Sequence, residues 1–187
     1  GKLSGTVGIL CNMLLFAAKL VVGTLSGSVS ITADAMNNLT DATSSIVTLI
    51  GFRLAEQPAD KEHPYGHARF EYLSGLAVAA IIIVIGFEMA RTAFEKIIHP
   101  EAAQISVLTV VILVVSVLLK LWLSIFNRGL GKMIGSGALQ AAAVDSRNDV
   151  IATSAVLLAA IVEKFAGISL DGVMGLCVAL FILYSGA

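Results

Sequence analysis

The chain has 187 residues, of which 57% are hydrophobic and only 13% charged, with a formal net charge of −1. Ordinary soluble domains run about 45–50% apolar and about 25% charged, and a core of this size cannot hide so much apolar surface. A soluble globular domain is excluded, nothing in the charge suggests a nucleic-acid partner, and a lipid bilayer is the natural solvent.

A membrane-spanning helix needs roughly 20 mostly apolar residues. Six segments meet that requirement, at roughly 4–25, 29–54, 68–96, 104–127, 136–164 and 169–187. The first is too long for a signal peptide and no small-residue cleavage site follows it. It ends at Ser26-Gly27-Ser28, a tight turn. The second carries several acids and amides and runs into the polar stretch from Glu56 to His67, which holds Pro58, Pro64 and Gly66. The third stops at His99-Pro100-Glu101, where His99 is expected to be structural. The fourth gives way to a basic, glycine-rich break from Arg128 to Gly135. The fifth is again polar on one face and is separated from the sixth by Glu163 to Ser169. The two cysteines, Cys11 and Cys177, have neither metal-type spacing nor the makings of a disulfide framework. The expectation is an all-α membrane protein with six transmembrane helices in one domain over residues 1–187.

Lys and Arg at loops and helix ends set the orientation. Lys2, Arg53, Lys61, Arg69, Arg128 and Lys132 fall on one side; Arg91, Lys96 and Lys164 fall on the other. The first side is predicted to be cytoplasmic, with both termini there. The chain ends at Tyr184-Ser185-Gly186-Ala187 inside an apolar helix, so a soluble cytoplasmic segment is expected to follow. Spans one to three and four to six have opposite topology, which hints at an inverted repeat.

The second span reads Thr32-Ala33-Asp34-Ala35-Met36-Asn37-Asn38-Leu39-Thr40-Asp41. Positions 34, 37 and 41 share one helical face. The fifth span reads Val144-Asp145-Ser146-Arg147-Asn148-Asp149, with Asp145 and Asp149 also on one face. A central aspartate costs about 2.5–3.5 kcal/mol even on the mild insertion scale. The alternative to a cation site is salt bridging to Arg147, or to Lys19 and Lys120, and Arg147 is the candidate partner for one acid. Lys19 and Lys120 are expected to snorkel to the span ends. More acid than base then remains at mid-membrane, and a bound cation is the simplest compensation.

Asn37, Asp41, Asp145 and Asp149 offer only oxygen ligands, which suit hard cations, whereas imidazole and thiolate favour zinc and copper. The set favours Mn2+, with Fe2+ behind it. Ionised carboxylates are also the metal-binding form, so metal entry expels protons and the site can exchange metal for protons. In the loop, Asp60, His63 and His67 could converge on one metal around the Pro64-Tyr65-Gly66 turn, a carboxylate-imidazole set of the zinc type. The alternative is a hydrogen-bonded loop that caps the third helix. Gly23-xxx-Gly27 and Gly131-xxx-Gly135 are expected to serve mainly as turns.

The chain resembles the cation diffusion facilitator family along essentially its whole length. The resemblance rests on Ser28-Val29-Ser30, Ala33-Asp34-Ala35 and Asn37-xxx-Asp41. It continues through Arg53, the Pro58-Ala59-Asp60-xx-His63-Pro64-Tyr65-Gly66-His67 loop and Glu71, then Asp145-Ser146-Arg147-Asn148-Asp149 and Leu170-Asp171-Gly172. It implies metal export from the cytoplasm by proton antiport, in a homodimer of an integral membrane protein, with a bacterial inner membrane as the expected location. It further implies a cytoplasmic metal-binding domain after span six, a transport site at Asn37, Asp41, Asp145 and Asp149, and a loop site at Asp60, His63 and His67. Zinc-type members commonly have histidine at one or two transport-site positions. Asn37 and Asp145 stand there instead, which looks like the manganese branch. The competing readings are an exporter of Fe2+, Zn2+ or Co2+, a metal channel without proton coupling, and an intramembrane aspartyl protease. The last lacks a Gly-x-Gly-Asp-type signature, and the extra acids fit ion binding better than an enzyme.

Overall fold

Long apolar runs, few prolines and turn signals only at the breaks dictate helices throughout. The structure, a computed structural model, describes the backbone over residues 2–55, 69–167 and 169–186. It contains α1 (Lys2–Ser26), α2 (Val29–Ala55), α3 (Arg69–Ile98), α4 (Val107–Met133), α5 (Gly137–Ala166) and α6 (Asp171–Gly186), with no strand among the described residues. Three stretches, Gly5–Ser26, Gly75–Ile98 and Val107–Met133, are long and apolar enough to cross a membrane, and Asp171–Gly186 is a shorter apolar helix. The remaining helices, α2 and α5, carry the interrupting acids and amides.

The exterior is apolar and much of the interior polar. Leu14, Phe87, Trp122, Ile125 and Leu158 are exposed, while Lys19, Asp34, Asn37, Asn38, Lys120, Asp149 and Thr153 are buried. In water this inversion would forfeit the hydrophobic effect; in lipid it is the arrangement that pairs polar groups with one another. Helix α2 is central and touches α1, α3, α5 and α6.

One boundary differs from the expectation. The break read over Arg128–Gly135 is mostly helix: α4 continues to Met133, and Ile134 caps it through its N–H to the Leu130 carbonyl. Arg and Lys are good helix formers and are favoured near a helix C-terminus. Gly131 stays helical for a packing reason. A Cβ there would lie 3.1 Å from both the Gln140 backbone N and Leu139 Cβ.

The α1–α2 and α4–α5 hairpins close identically. Gly27 and Gly135 each have φ 65°, which glycine adopts without steric cost. Ser28 N–H donates to the Gly23 carbonyl and Ser136 N–H to the Gly131 carbonyl, both at 2.9 Å. Gly27 and Gly135 thus make the expected turns, whereas Gly23 and Gly131 are close-approach positions. A Cβ on Gly23 would lie 2.8 Å from Thr32 Oγ1. The two hairpins point opposite ways. The α3–α4 connector returns to the α1–α2 turn, where Gln104 N–H donates to the Ser26 carbonyl at 2.8 Å, so the α4–α5 turn lies at the other end.

At the end bearing the α1–α2 turn, α2 is capped from a distance. The Asp171 carboxylate accepts from Val29 N–H (2.7 Å), Ser30 N–H (3.1 Å), Ser28 Oγ (2.5 Å) and Ser30 Oγ (2.6 Å), and Lys96 Nζ sits 3.3 Å away. A carboxylate at a helix N-terminus satisfies orphan N–H groups and complements the dipole. This joins α2, α3 and α6.

Candidate metal site

Asn37 and Asp41 lie one turn apart on α2, as do Asp145 and Asp149 on α5, so each helix presents two oxygen-bearing side chains on one face. The fold turns those faces toward each other. Single carboxylate oxygens of Asp41, Asp145 and Asp149 all lie within 4.8 Å of one another. Asn37 Nδ2 donates to Asp149 Oδ1 at 2.7 Å. Among the described residues the Asn37 side-chain oxygen accepts no hydrogen bond, which leaves it as a neutral donor for a cation. Asp149 is buried, Asp41 half-buried and Asp145 exposed. The cluster therefore opens toward Asp145, which lies on the α4–α5-turn side of Asp149.

The structure corrects the reading of the two lysines. Neither snorkels. Lys120 is 1% exposed, with Nζ 3.1 Å from Asp41 Oδ2 and in a short contact with Asp149 Oδ2. The reason is the longer α4: Lys120 lies thirteen residues after Val107 and thirteen before Met133. At 1.5 Å rise per residue, roughly 20 Å separates it from either end, beyond a lysine's reach. Lys19 is fully buried, with Nζ 2.8 Å from Asp34 Oδ2. Thr153 completes that group, accepting from Lys19 Nζ at 3.0 Å and donating to Asp34 Oδ1 at 3.1 Å. Asp34 shares α2 with the site residues but is engaged by α1 and α5. Arg147 is exposed and pairs with none of these acids among the described residues. It lines a basic pocket with Arg128 and Lys132 between α4 and α5.

The loop candidates Asp60, His63 and His67 lie outside the described residues. His99 is exposed, and its N–H donates to the Glu95 carbonyl at 2.9 Å, ending α3. The sequence does not settle two features. One is Lys120 within the acidic cluster, which only the true length of α4 reveals. The other is the contact between Ser28-Val29-Ser30 and Asp171, two parts of the resemblance that nothing local connects.

Over residues 5–187 the sequence matches the cation efflux transmembrane domain. The chain belongs to the cation efflux family, the cation diffusion facilitators. It is 31% identical to an uncharacterized transporter of Methanocaldococcus jannaschii over 94% of this chain and 62% of that protein. It is 31% identical to the manganese efflux system protein MneS of Bacillus subtilis, over 97% and 63% respectively. It is 29% identical to the cation-efflux pump FieF of Shewanella oneidensis, over 97% and 61%. The chain spans about three fifths of the length of these curated relatives. The family is one of membrane transporters for cations.

Proposed function

We propose that this cation efflux chain forms the six-span membrane part of a divalent-metal exporter, with Mn2+ as its first substrate, exchanged for protons at a site built from Asn37, Asp41, Asp145 and Asp149. The observation that supports this is the convergence of three carboxylates from α2 and α5 on one point, within 4.8 Å. Lys19 is committed to Asp34, so among the described residues only Lys120 offsets these three acids. Two negative charges remain when all are ionised, the charge that one divalent cation brings. An all-oxygen donor set suits Mn2+ better than a histidine-containing set would. MneS, a manganese efflux protein by its name, is a relative across almost the whole chain.

In this reading α2, α5 and α6 also cross the bilayer, their polar groups satisfied inside the bundle. The end bearing the α4–α5 turn, with Arg128 and Lys132, faces the cytoplasm under the positive-inside rule, as do both termini. Asp145 then receives metal from the cytoplasmic side and passes it to Asp149 and Asp41. Because ligands must be deprotonated to bind, loading releases protons and reprotonation from the far side drives release. A homodimer, a cytoplasmic domain beyond α6 and an accessory loop site at Asp60, His63 and His67 belong to the same reading.

The test is transport by purified protein in proteoliposomes, with Mn2+, Fe2+, Co2+ and Zn2+ offered under an imposed pH gradient. Uphill Mn2+ movement driven by the pH gradient alone supports the antiporter. Metal flux that only follows its own gradient would make the protein a channel. Preference for another metal would reassign the substrate.

A further inference from the structure

The ammonium of Lys120 contacts both Asp41 and Asp149. It uses Oδ2 of each carboxylate, while Asn37 holds Oδ1 of Asp149. Asp149 has a partner on each oxygen, so a metal that binds there must share an oxygen with Asn37 or with the Lys120 ammonium. Asn37 is neutral and can stay beside a cation. Lys120 is charged, and a divalent ion among the same oxygens would repel it. Its four-carbon stem has several rotatable bonds, so the ammonium can withdraw without any shift of α4.

The helical-hairpin repeat shows that the equivalent position in the other hairpin is filled without a charge. Gly23 and Gly131, Gly27 and Gly135, Asn37 and Asp145, and Asp41 and Asp149 are all separated by 108 positions. By the same offset Lys120 corresponds to Asn12 on α1, which is buried with no partner for its Oδ1 among the described residues. One hairpin thus closes and packs with a neutral amide where the other holds a lysine.

We propose that Lys120 is a tethered counter-cation of the transport site: its ammonium holds the position between Asp41 and Asp149 that an arriving divalent cation takes, and metal binding displaces it. This rests on the reading of those carboxylates as the transport site. The ammonium neutralises one of three acids while metal is away. It weakens metal binding by competing for the same oxygens, and its return helps eject the metal. A transport site must bind firmly enough to load yet weakly enough to release. Three carboxylates with no internal competitor would err toward trapping.

The experiment measures Mn2+ binding at pH 8, from the signal of free Mn2+ in electron paramagnetic resonance, and Mn2+ transport in proteoliposomes. The proteins are the parent, Lys120→Met, Lys120→Gln, Lys120→Arg and Asp149→Asn. Both neutral variants are expected to bind Mn2+ at least about tenfold more tightly, a lower bound for removing one competing charge from beside the site at a protein-like dielectric. They should also turn over more slowly. Lys120→Arg should keep an affinity near the parent's. A merely structural lysine gives the opposite sign, because its loss loosens the site. Unchanged or weaker binding in both neutral variants would therefore overturn the proposal. So would neutral variants that fail to fold while Lys120→Arg folds. Asp149→Asn separates the two claims: loss of binding there upholds the transport site whatever Lys120 does, and unimpaired binding there removes the site reading and this proposal with it.

Discussion

Asp41 and Asp149 occupy equivalent depths in their helices, twelve residues after Val29 and twelve after Gly137, and both meet the Lys120 ammonium. The equal depth follows from two hairpins that close alike and point opposite ways. It places the carboxylates near mid-bundle, about 18 Å along each helix at 1.5 Å per residue.

Replacing the site acids one at a time should separate function from stability. Asp145→Ala, exposed and without an ion pair among the described residues, should abolish metal transport while shifting stability by no more than about 0.5 kcal/mol. Asp149→Ala should abolish transport and also destabilise, since it strips Lys120 of one partner and leaves Asn37 without its acceptor. Breaking a buried pair in this way costs about 3–5 kcal/mol. Transport assays beside thermal unfolding in detergent read both effects. Normal transport by well-folded Asp145→Ala would remove it from the site.

Lys19 and Asp34 should behave as a structural pair. Lys19→Met leaves Asp34 buried with Thr153 as its remaining side-chain partner among the described residues, at a cost of about 3–5 kcal/mol. The double variant Lys19→Met with Asp34→Leu should regain most of that loss, because a well-packed apolar pair often matches a buried ion pair. A double-mutant cycle on unfolding measures the coupling. Metal transport in the double variant should stay near the parent's. Its complete loss in a stable protein would place Asp34 in the transport pathway instead.

Asn37 is the position from which to shift metal preference. Its amide nitrogen donates to Asp149 Oδ1, and its oxygen accepts no hydrogen bond among the described residues. Asn37→His can preserve the donated hydrogen bond through one ring nitrogen and offer the other to metal. Nitrogen ligands favour Zn2+ over Mn2+. The ratio of Zn2+ to Mn2+ transport should therefore rise, even if the bulkier ring lowers both rates. An unchanged ratio in an active variant would deny Asn37 a part in selectivity.

Protons and metal should compete. Metal binds the deprotonated carboxylates, so apparent Mn2+ affinity must fall as pH falls and recover as pH rises. Mn2+ titrations from pH 5 to 8 check the sign, and proton release on metal addition, followed in weak buffer, checks the cause. Affinity independent of pH would rule out exchange at these acids.

Asp171→Asn should loosen the end of the bundle opposite the α4–α5 turn. It weakens the cap on Val29 and Ser30 and the pair with Lys96. Loss of a charge-assisted cap is worth about 1–2 kcal/mol. Hydrogen exchange should accelerate at the start of α2 while Mn2+ binding persists. Unaltered exchange at residues 29–32 would show that Asp171 is not what fixes that helix end.

The sequence by itself determined six helices and the acidic faces of α2 and α5. Both are local properties: apolar length fixes a helix in lipid, and i, i+4 spacing fixes which side chains share a face. Asn37, Asp41, Asp145 and Asp149 were legible for that reason. Only the tertiary structure decided their company. Whether a lysine snorkels depends on its distance from the true helix end, and the end of α4 moved from about 127 to Met133 because Gly131 packs against α5 instead of breaking the helix. That shift put Lys120 at mid-bundle, between two aspartates more than 100 positions apart in sequence. Lys19 with Asp34 and Thr153, and Asp171 with Ser28 and Ser30, were hidden for the same physical reason. An ion pair or a cap supplied from another helix leaves no periodicity in either segment, and is fixed only when the helices pack.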